Sequence, residues 1–239
     1  MKILEGEQGS YQWLQNRAGI PTASEFKNLL TDGMQIRKWS TEMPLKFLAL
    51  KLAEKWTGHA QAEDLNTFAI EQGRIVEERA RPWYALTYGV EVKKVGLCVT
   101  DDGRAGCSPD GLIGEDEGIE IKSPYAKTHV AYLLAGELPT EYAAQVHGSL
   151  YVTGRPRWNF LSFRMGFPKF VIVVERDEEI IGKIGVALAE FNDRFDAGWK
   201  KLCEANGGPP PPRVQDNGTY EQFRRNLETQ ANQYEGVTP

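Results

Sequence analysis

The sequence predicts an α/β fold in which a central mixed β-sheet is flanked by helices within one domain. Three observations carry this expectation. Hydrophobic periodicity is helical over residues 11–88, switches to alternation broken by Gly, Pro and Asp turns over 90–124, and returns to helix at 139–153. Two further strand-like segments, WNFLSFR (158–164) and FVIVVER (170–176), lead into a last amphipathic helix. The chain has 239 residues, 41% of them hydrophobic, which suffices for one large domain with a substantial core.

The elements follow in order. Residues 11–29 (YQWLQNRAGIPTASEFKNL) read as a short helix, a turn and a second helix. Thr22 and Ser24 are candidate caps, and Glu25 stands in capping-box spacing from Thr22. After a polar loop at 31–43, Pro44 opens a helix that Gly58 ends; Leu45, Leu48, Ala49, Leu52 and Trp56 form its expected core stripe. Residues 66–88 form a long helix with Pro82 as the expected bend and Glu77 in its middle. Strands are expected in 90–100, 103–114 and 118–124. The final helix, 177–203, places Ile180, Ile184, Leu188, Phe191 and Phe195 near one face. Residues 1–203 are taken as the domain and 204–239, which begin EANGGPPPPR, as an extended tail or arm.

Composition excludes several classes. No apolar run reaches the length of a membrane span, and MKILEGEQGS is too polar for a secretory signal. Cys98, Cys107 and Cys203 lack metal-site spacing and read as thiols in a reducing compartment. His59, His129 and His147 are scattered, which argues against a His/Cys zinc site. A net charge of −5 argues against a passive nucleic-acid coat, which would be basic. An enzyme with an acidic metal site and a locally basic groove remains compatible with it.

The stretch AGCSPDGLIGEDEGIEIKSPYA (105–126) carries the chemistry. Strand alternation sends Ile119 and Ile121 to one face and Glu120 and Lys122 to the other. The turn at 114–118 folds the strand end bearing Asp110 back beside them. Paired carboxylates repel unless they share a proton or a cation. Mg²⁺ prefers oxygen ligands and keeps waters for a phosphate substrate. A lysine beside such an ion can position or deprotonate the attacking water. Two acids and a lysine therefore suit metal-assisted phosphodiester hydrolysis. A surface hairpin with a Glu–Lys pair is the plainer alternative, and Glu115, Asp116 and Glu117 read as solvated.

SPDGLIGEDEGIEIKSP resembles the Asp…Glu-x-Lys core of the PD-(D/E)xK nuclease superfamily. WLQNRAGIPTASEF, EQGRIVEERAR, YAAQVHGSLYVTGR and FVIVVERDEE resemble, in order over roughly residues 11–195, segments of the phage lambda exonuclease family of viral recombination exonucleases. The resemblance implies a restriction-endonuclease-like core. It implies a processive 5′-to-3′ exonuclease on linear double-stranded DNA that leaves 3′ single strands for recombination. It further implies Mg²⁺, two ions per site with Mn²⁺ as a substitute, and a homotrimeric ring around DNA. The setting would be a phage or prophage system in the host bacterial cytoplasm, with a single-strand annealing recombinase as a possible partner.

By the same resemblance Asp110 and Glu120 are principal metal ligands, the Ile121 carbonyl a further ligand, and Lys122 the group that orients or activates water. Glu77 completes the acidic cluster; its alternative is a helix-surface pair with Arg81. Gln145 is the helix glutamine beside the catalytic lysine. Arg17 and Ser24 match residues that bind a terminal 5′-phosphate, with Ser24 otherwise a cap. Ser108 is a further phosphate donor or a turn hydroxyl. The 31–43 loop does not align cleanly: Arg37 is the candidate for a second phosphate contact, and Met43 for a strand-separating wedge or a helix-start staple. Ile70 is another wedge candidate or a core residue. Arg155 and Arg157 are candidates for the interior of a ring. Two rival functions remain, a structure-specific endonuclease on the same metal core and a catalytically silent DNA clamp or recombination adaptor.

Overall fold

Alternation along one strand organises the molecule. In a computed structural model of the chain, which describes residues 1–60 and 67–210 and only the backbone over 67–74, β5 (Glu117–Lys122) lies inside a mixed sheet. Its neighbours are β4 (Gly111–Ile113), antiparallel, and β6 (Arg157–Ser162), parallel; β7 (Phe170–Glu175) completes the order β4-β5-β6-β7. A separate antiparallel sheet joins β1 (Lys2–Leu4), β2 (Leu97–Val99) and β3 (Gly106–Cys107). The mixed sheet expected from the sequence is present, but of the strand-like residues in 90–107 only Leu97–Val99 and Gly106–Cys107 are strands, both in this second sheet, while Lys93 bridges to Leu112 of the mixed sheet.

The parallel β5–β6 pair requires a crossover, because parallel neighbours cannot be joined by a tight turn. Two helices make it, α4 (Ala126–Ala135) and α5 (Thr140–Thr153). The second was expected; the first was not, since it has no side-chain cap to announce it and is ended only by Gly136 in the left-handed region. His129 anchors α4: its Nε2 donates to the Pro168 carbonyl (2.9 Å), so Nδ1 accepts from the Ser162 hydroxyl (2.7 Å).

Helices cover both faces of the mixed sheet. On one face Trp158 and Phe160 pack with Leu150 of α5 and with Ile184, Leu188 and Phe191 of α6 (Glu178–Asn206). On the other, Ile119, Ile121 and Leu161 pack with Ala80 and Tyr84 of α3 (Thr67–Tyr88). The expected split of β5 is therefore observed. Asp177 caps α6 by accepting from the Glu179 and Ile180 amides, and the helix runs through residue 206, past the expected boundary at 203. Residues 211–239 of the expected tail, and the Ile70 side chain, lie outside the described residues.

The 11–29 segment comprises α1 (Tyr11–Arg17) and a 3-10 helix (Ala23–Asn28) capped at Thr22 rather than Ser24. In α2 (Glu42–Thr57) the buried face is rotated from the expected stripe. Leu45 and Ala49 are exposed, whereas Pro44, Phe47, Lys51 and Glu54 are buried. The reason is electrostatic: Lys51 faces inward because two carboxylates await it there, at 2.6 and 2.9 Å.

Gly118 lies on β5 directly opposite Trp158, and a Cβ built there would overlap the indole ring. Gly118→Ala should destabilise the fold by roughly 1–3 kcal/mol, as overpacking a close-packed core does. Urea denaturation measures this, and a neutral result would mean that the indole has room to move.

Candidate active site

The site begins where β4 stops being a strand. Beyond Gly111 the chain turns through Pro109, and Arg81 of α3 donates through Nε to the Asp110 backbone carbonyl (2.9 Å). Gln8 supports the same turn by donating to the Pro109 and Val95 carbonyls. The Asp110 amide donates to the Ile119 carbonyl, and the Asp110 carboxylate accepts the next ladder donor, the Ile121 N–H, at 2.5 Å. A side chain thus replaces the backbone that β4 no longer supplies. In an antiparallel ladder a residue's N–H and C=O point the same way. The Ile121 carbonyl is therefore directed toward Asp110.

Glu120 and Lys122 project from the opposite side of β5 to the isoleucines, toward α5. Lys122 Nζ pairs with Glu120 Oε1 at 2.7 Å, and Gln145 of α5 donates to the same oxygen at 2.7 Å. The Lys122 ammonium also lies 5.2 Å from the centre of the Tyr142 ring, a cation–π contact. Asp110 and Glu120 are only 8% and 3% exposed, far from the solvated hairpin that was the plainer alternative.

Electrostatics follow from this confinement. Burial, then the charges of Glu120 and Glu77, push the Asp110 carboxyl well above the usual carboxylate range. Burial raises Glu77 too, opposed by Arg81 and reinforced by Glu120. For Lys122, burial works to lower the ammonium, but Glu120 and then Asp110 outweigh it and raise it above its ordinary value. Glu120 and Asp110 thus favour the charged form of Lys122.

Among the described residues no three His, Cys, Asp or Glu side chains form a ready-made cation cage. A hard cation that keeps its waters does not need one, since Mg²⁺ sites use one or two carboxylates together with substrate oxygens. Asp110, Glu120 and the Ile121 carbonyl supply an all-oxygen donor set of that kind. The repulsion that raises Asp110 is also the stress that a cation relieves.

A second cluster adjoins the first. Arg17 lies 4.4 Å over the Trp13 ring and donates from Nη2 to the Thr22 hydroxyl at 3.0 Å. Trp13 Nε1 donates to the Ser108 hydroxyl at 3.0 Å, two residues before Asp110. Ser24 is exposed, with its hydroxyl 3.4 Å from that of Thr22. The structure thus brings Arg17, Ser24 and Ser108 together around Trp13 and Thr22. Burial pushes the Arg17 guanidinium below its ordinary value, with Glu25 and Glu54 opposing.

Other candidates fare differently. Arg37 Nε donates to the Lys27 and Leu30 carbonyls, so this part of its guanidinium holds the loop together. Met43 is exposed at the second position of α2, which is not a staple position. Arg155 is buried and its Nη1 donates to the carbonyls of Ile113, Gly114 and Glu117. It secures the β4–β5 turn and does not line a channel. Arg157 pairs with Glu117 at 3.0 Å. Sequence reasoning missed Trp13 and Tyr142 as site residues and saw Arg81 only as a partner for Glu77. The Trp13/Arg17 spacing of one helical turn was the available signal for the first; nothing in the sequence marked the Arg81–Asp110 contact.

An α/β fold with buried acids and a lysine on one hairpin defines a class, and the match to known families names it. The chain belongs to the YqaJ-like viral recombinase domain family, whose profile matches residues 12–156. Among solved structures it is similar to the alkaline exonuclease LHK-Exo from Laribacter hongkongensis: 26% identity, TM-score 0.71, covering 82% of this chain and 97% of that one. The LHK-Exo complex with dAMP matches at 27% identity and TM-score 0.72, with the same coverage. A phage-related exonuclease from Haemophilus somnus 129PT shares the fold at 14% identity and TM-score 0.59, covering 77% of this chain and 96% of its own. No curated protein matches the chain. The resemblance read from the sequence motifs is thereby borne out.

The site predicts its own stability cost. An acid whose folded pKa is raised destabilises the fold at pH values above its ordinary range and costs nothing once both states are protonated. Asp110→Asn keeps an acceptor for the Ile121 amide and removes the repulsion. In chelator, it should melt above the parent at pH 8, by about 2–4 °C per kcal/mol of repulsion relieved. The gain should shrink as the pH falls toward 4. A lower melting temperature at pH 8 would show that the carboxylate is stabilising.

Proposed function

We propose that the chain is a DNA exonuclease of a viral-type recombination system, and more narrowly a Mg²⁺-dependent enzyme that degrades linear duplex from 5′ to 3′. The observation that supports this reading is the juxtaposition of two buried carboxylates with a paired lysine, next to an Arg17–Thr22–Ser24 cluster. The family and the exonuclease fold support it. The dAMP in the LHK-Exo structure is of the product class that such cleavage releases.

Asp110, Glu120 and the Ile121 carbonyl would hold the cation, with Glu77 behind them as further negative charge. When bound, Mg²⁺ supplies charge for the scissile phosphate and lowers the pKa of the attacking water. Gln145 holds the Glu120 carboxylate in place, and Tyr142 and Glu120 hold Lys122. Lys122 orients the attacking water or the phosphate oxygen. Water attacks phosphorus and releases a proton to solvent, the bond to the 3′ oxygen breaks, and the departing oxygen takes a proton from solvent. The new end carries a 5′-phosphate, which Arg17 and Ser24 are placed to receive, with Ser108 nearby. Capture of each new end favours successive cuts by one molecule.

The finer reading includes a homotrimeric ring. A chain of net charge −5 gains little from long-range attraction to DNA, and enclosure would retain the substrate without a basic surface. A single-strand annealing recombinase is the partner this product would require, and the host bacterial cytoplasm its setting. Among the described residues no helix is long and apolar enough to cross a membrane. A silent clamp accounts poorly for the burial of Asp110 and Glu120, which costs stability and serves no clamp.

End-labelled linear duplex digested with Mg²⁺ should be shortened from its 5′ ends, with covalently closed circles resistant; nicking of closed circles would favour the endonuclease alternative. Asp110→Ala and Glu120→Ala should each lower turnover by at least about 10³-fold, a loss on the scale of removing one major electrostatic stabiliser, while retaining the circular dichroism spectrum. Lys122→Ala should abolish turnover but keep Mg²⁺ or Mn²⁺ binding in calorimetry. Near-parental turnover in the Asp110 variant would displace the site. For the ring, light scattering should give a mass near three times 26.8 kDa; a monomer that digests processively would leave end capture as the sole basis of processivity.

A further inference from the structure

Behind the Arg17 pocket lies a charge network that the hydrolysis itself does not use. Lys51 of α2 is 1% exposed. Its ammonium bridges Glu25 Oε1 at 2.6 Å and Glu54 Oε2 at 2.9 Å. Each carboxylate in turn holds one end of the loop joining α1 to the 3-10 helix. Glu54 Oε2 accepts the Gly19 amide at 3.1 Å, and Glu25 Oε2 accepts both the Thr22 amide (3.0 Å) and the Thr22 hydroxyl (2.7 Å).

The loop has no slack against this scaffold. Gly19 is in the left-handed region at φ +75°, and a Cβ there would meet the Lys55 Cβ at 2.9 Å and the Lys51 carbonyl at 3.3 Å. The Thr22 hydroxyl proton is directed at Glu25, so its lone pairs face Arg17 Nη2. One edge of the Arg17 guanidinium rests on Thr22, which Lys51 holds through Glu25, and its plane lies against Trp13. Among the described residues two cations, Arg17 and Lys51, face two anions, Glu25 and Glu54.

We propose that Lys51 is the positioning residue of the 5′-phosphate pocket, a buried clamp through which Glu25 and Glu54 hold Thr22 and Gly19 so that Arg17 presents its free edge to the DNA end. This rests on the reading of Arg17 as a phosphate-binding group. Breaking a buried ion pair leaves an uncompensated charge, whereas removing charges in matched pairs is far milder. The clamp acts on end recognition and not on the acids around β5, so its loss separates two kinetic quantities. The KM for phosphorylated ends rises, and kcat at saturating DNA stays near the parental value.

The test compares linear duplexes with 5′-phosphate and 5′-hydroxyl ends, digested with Mg²⁺ by the parent, Lys51→Met, Lys51→Arg and the double variant Lys51→Met with Glu54→Gln. The double variant keeps Arg17 and Glu25 balanced, and so preserves a folded chain for measurement if the single variant unfolds. Expected is a loss of about tenfold or more in preference for phosphate, carried by KM, which is what one charge-assisted hydrogen bond is worth. Lys51→Arg should recover most of it. Folded Lys51 variants that keep the parental preference overturn the clamp, as does an equal loss on both kinds of end, which marks a purely structural role. A parent that digests duplex with no phosphate preference overturns the pocket and the clamp with it. A parent with no nuclease activity overturns the proposed function instead, so the failures are distinguishable.

Discussion

Two carboxylates kept out of water at one end of β5 are the constraint on which the rest of the structure depends. An ionised carboxylate moved from water into a protein interior pays a large desolvation penalty unless charges or hydrogen bonds replace the lost water. Here replacements converge from separate parts of the chain. The Ile121 amide serves Asp110, while Lys122 and Gln145 serve Glu120. Arg81 holds the Asp110 backbone from α3. The mixed sheet positions these donors: the parallel β5–β6 pair demands a crossover, and α5 of that crossover carries Gln145 and Tyr142. The replacements are incomplete, in keeping with burial and neighbouring charge pushing the Asp110 carboxyl up.

The same logic, run with balanced charge, shapes the neighbouring pocket. Lys51, Glu25 and Glu54 are inward-facing groups on elements whose apolar pattern alone would have placed other residues inside. Their mutual satisfaction rotates α2 and seats the loop from Gly19 to Thr22. Trp13 joins the two clusters, stacking on Arg17 and donating to Ser108. In the proposed function the two clusters are complementary: the acidic centre would gain from binding a cation, and the Arg17 cluster would receive the anionic end.

The mixed sheet, α5, β6, β7 and α6 were legible because their signals are local. Alternation in GIEIK and the stripe from Ile184 to Phe195 depend only on the periods of strand and helix. The helix α4 was not legible, because AKTHVAYLLA lacks a capping side chain and follows a Ser-Pro turn. In α2 Leu48 and Leu52 pack against the core as expected, whereas Leu45 and Ala49 were misread. Periodicity assumes that apolar groups face inward, and Lys51 breaks the assumption because its partners come from residues 25 and 54. Arg155 and Arg157 were read as candidates for the interior of a ring; backbone carbonyls hold the buried Arg155, and Arg157 pairs with Glu117.

By itself the sequence determined the acid–acid–lysine hairpin, since two-residue periodicity places Glu120 and Lys122 on one face whatever surrounds them. Its motif order also determined the family. Only the tertiary structure decided which other groups meet that hairpin. Gln145 is 25 residues from Glu120, Arg81 is 29 from Asp110, and Ser108 is 95 from Trp13. At such separations, local periodicity carries no information about contact. These meetings are settled by how helices close over the sheet and by the demand that every buried charge find a partner.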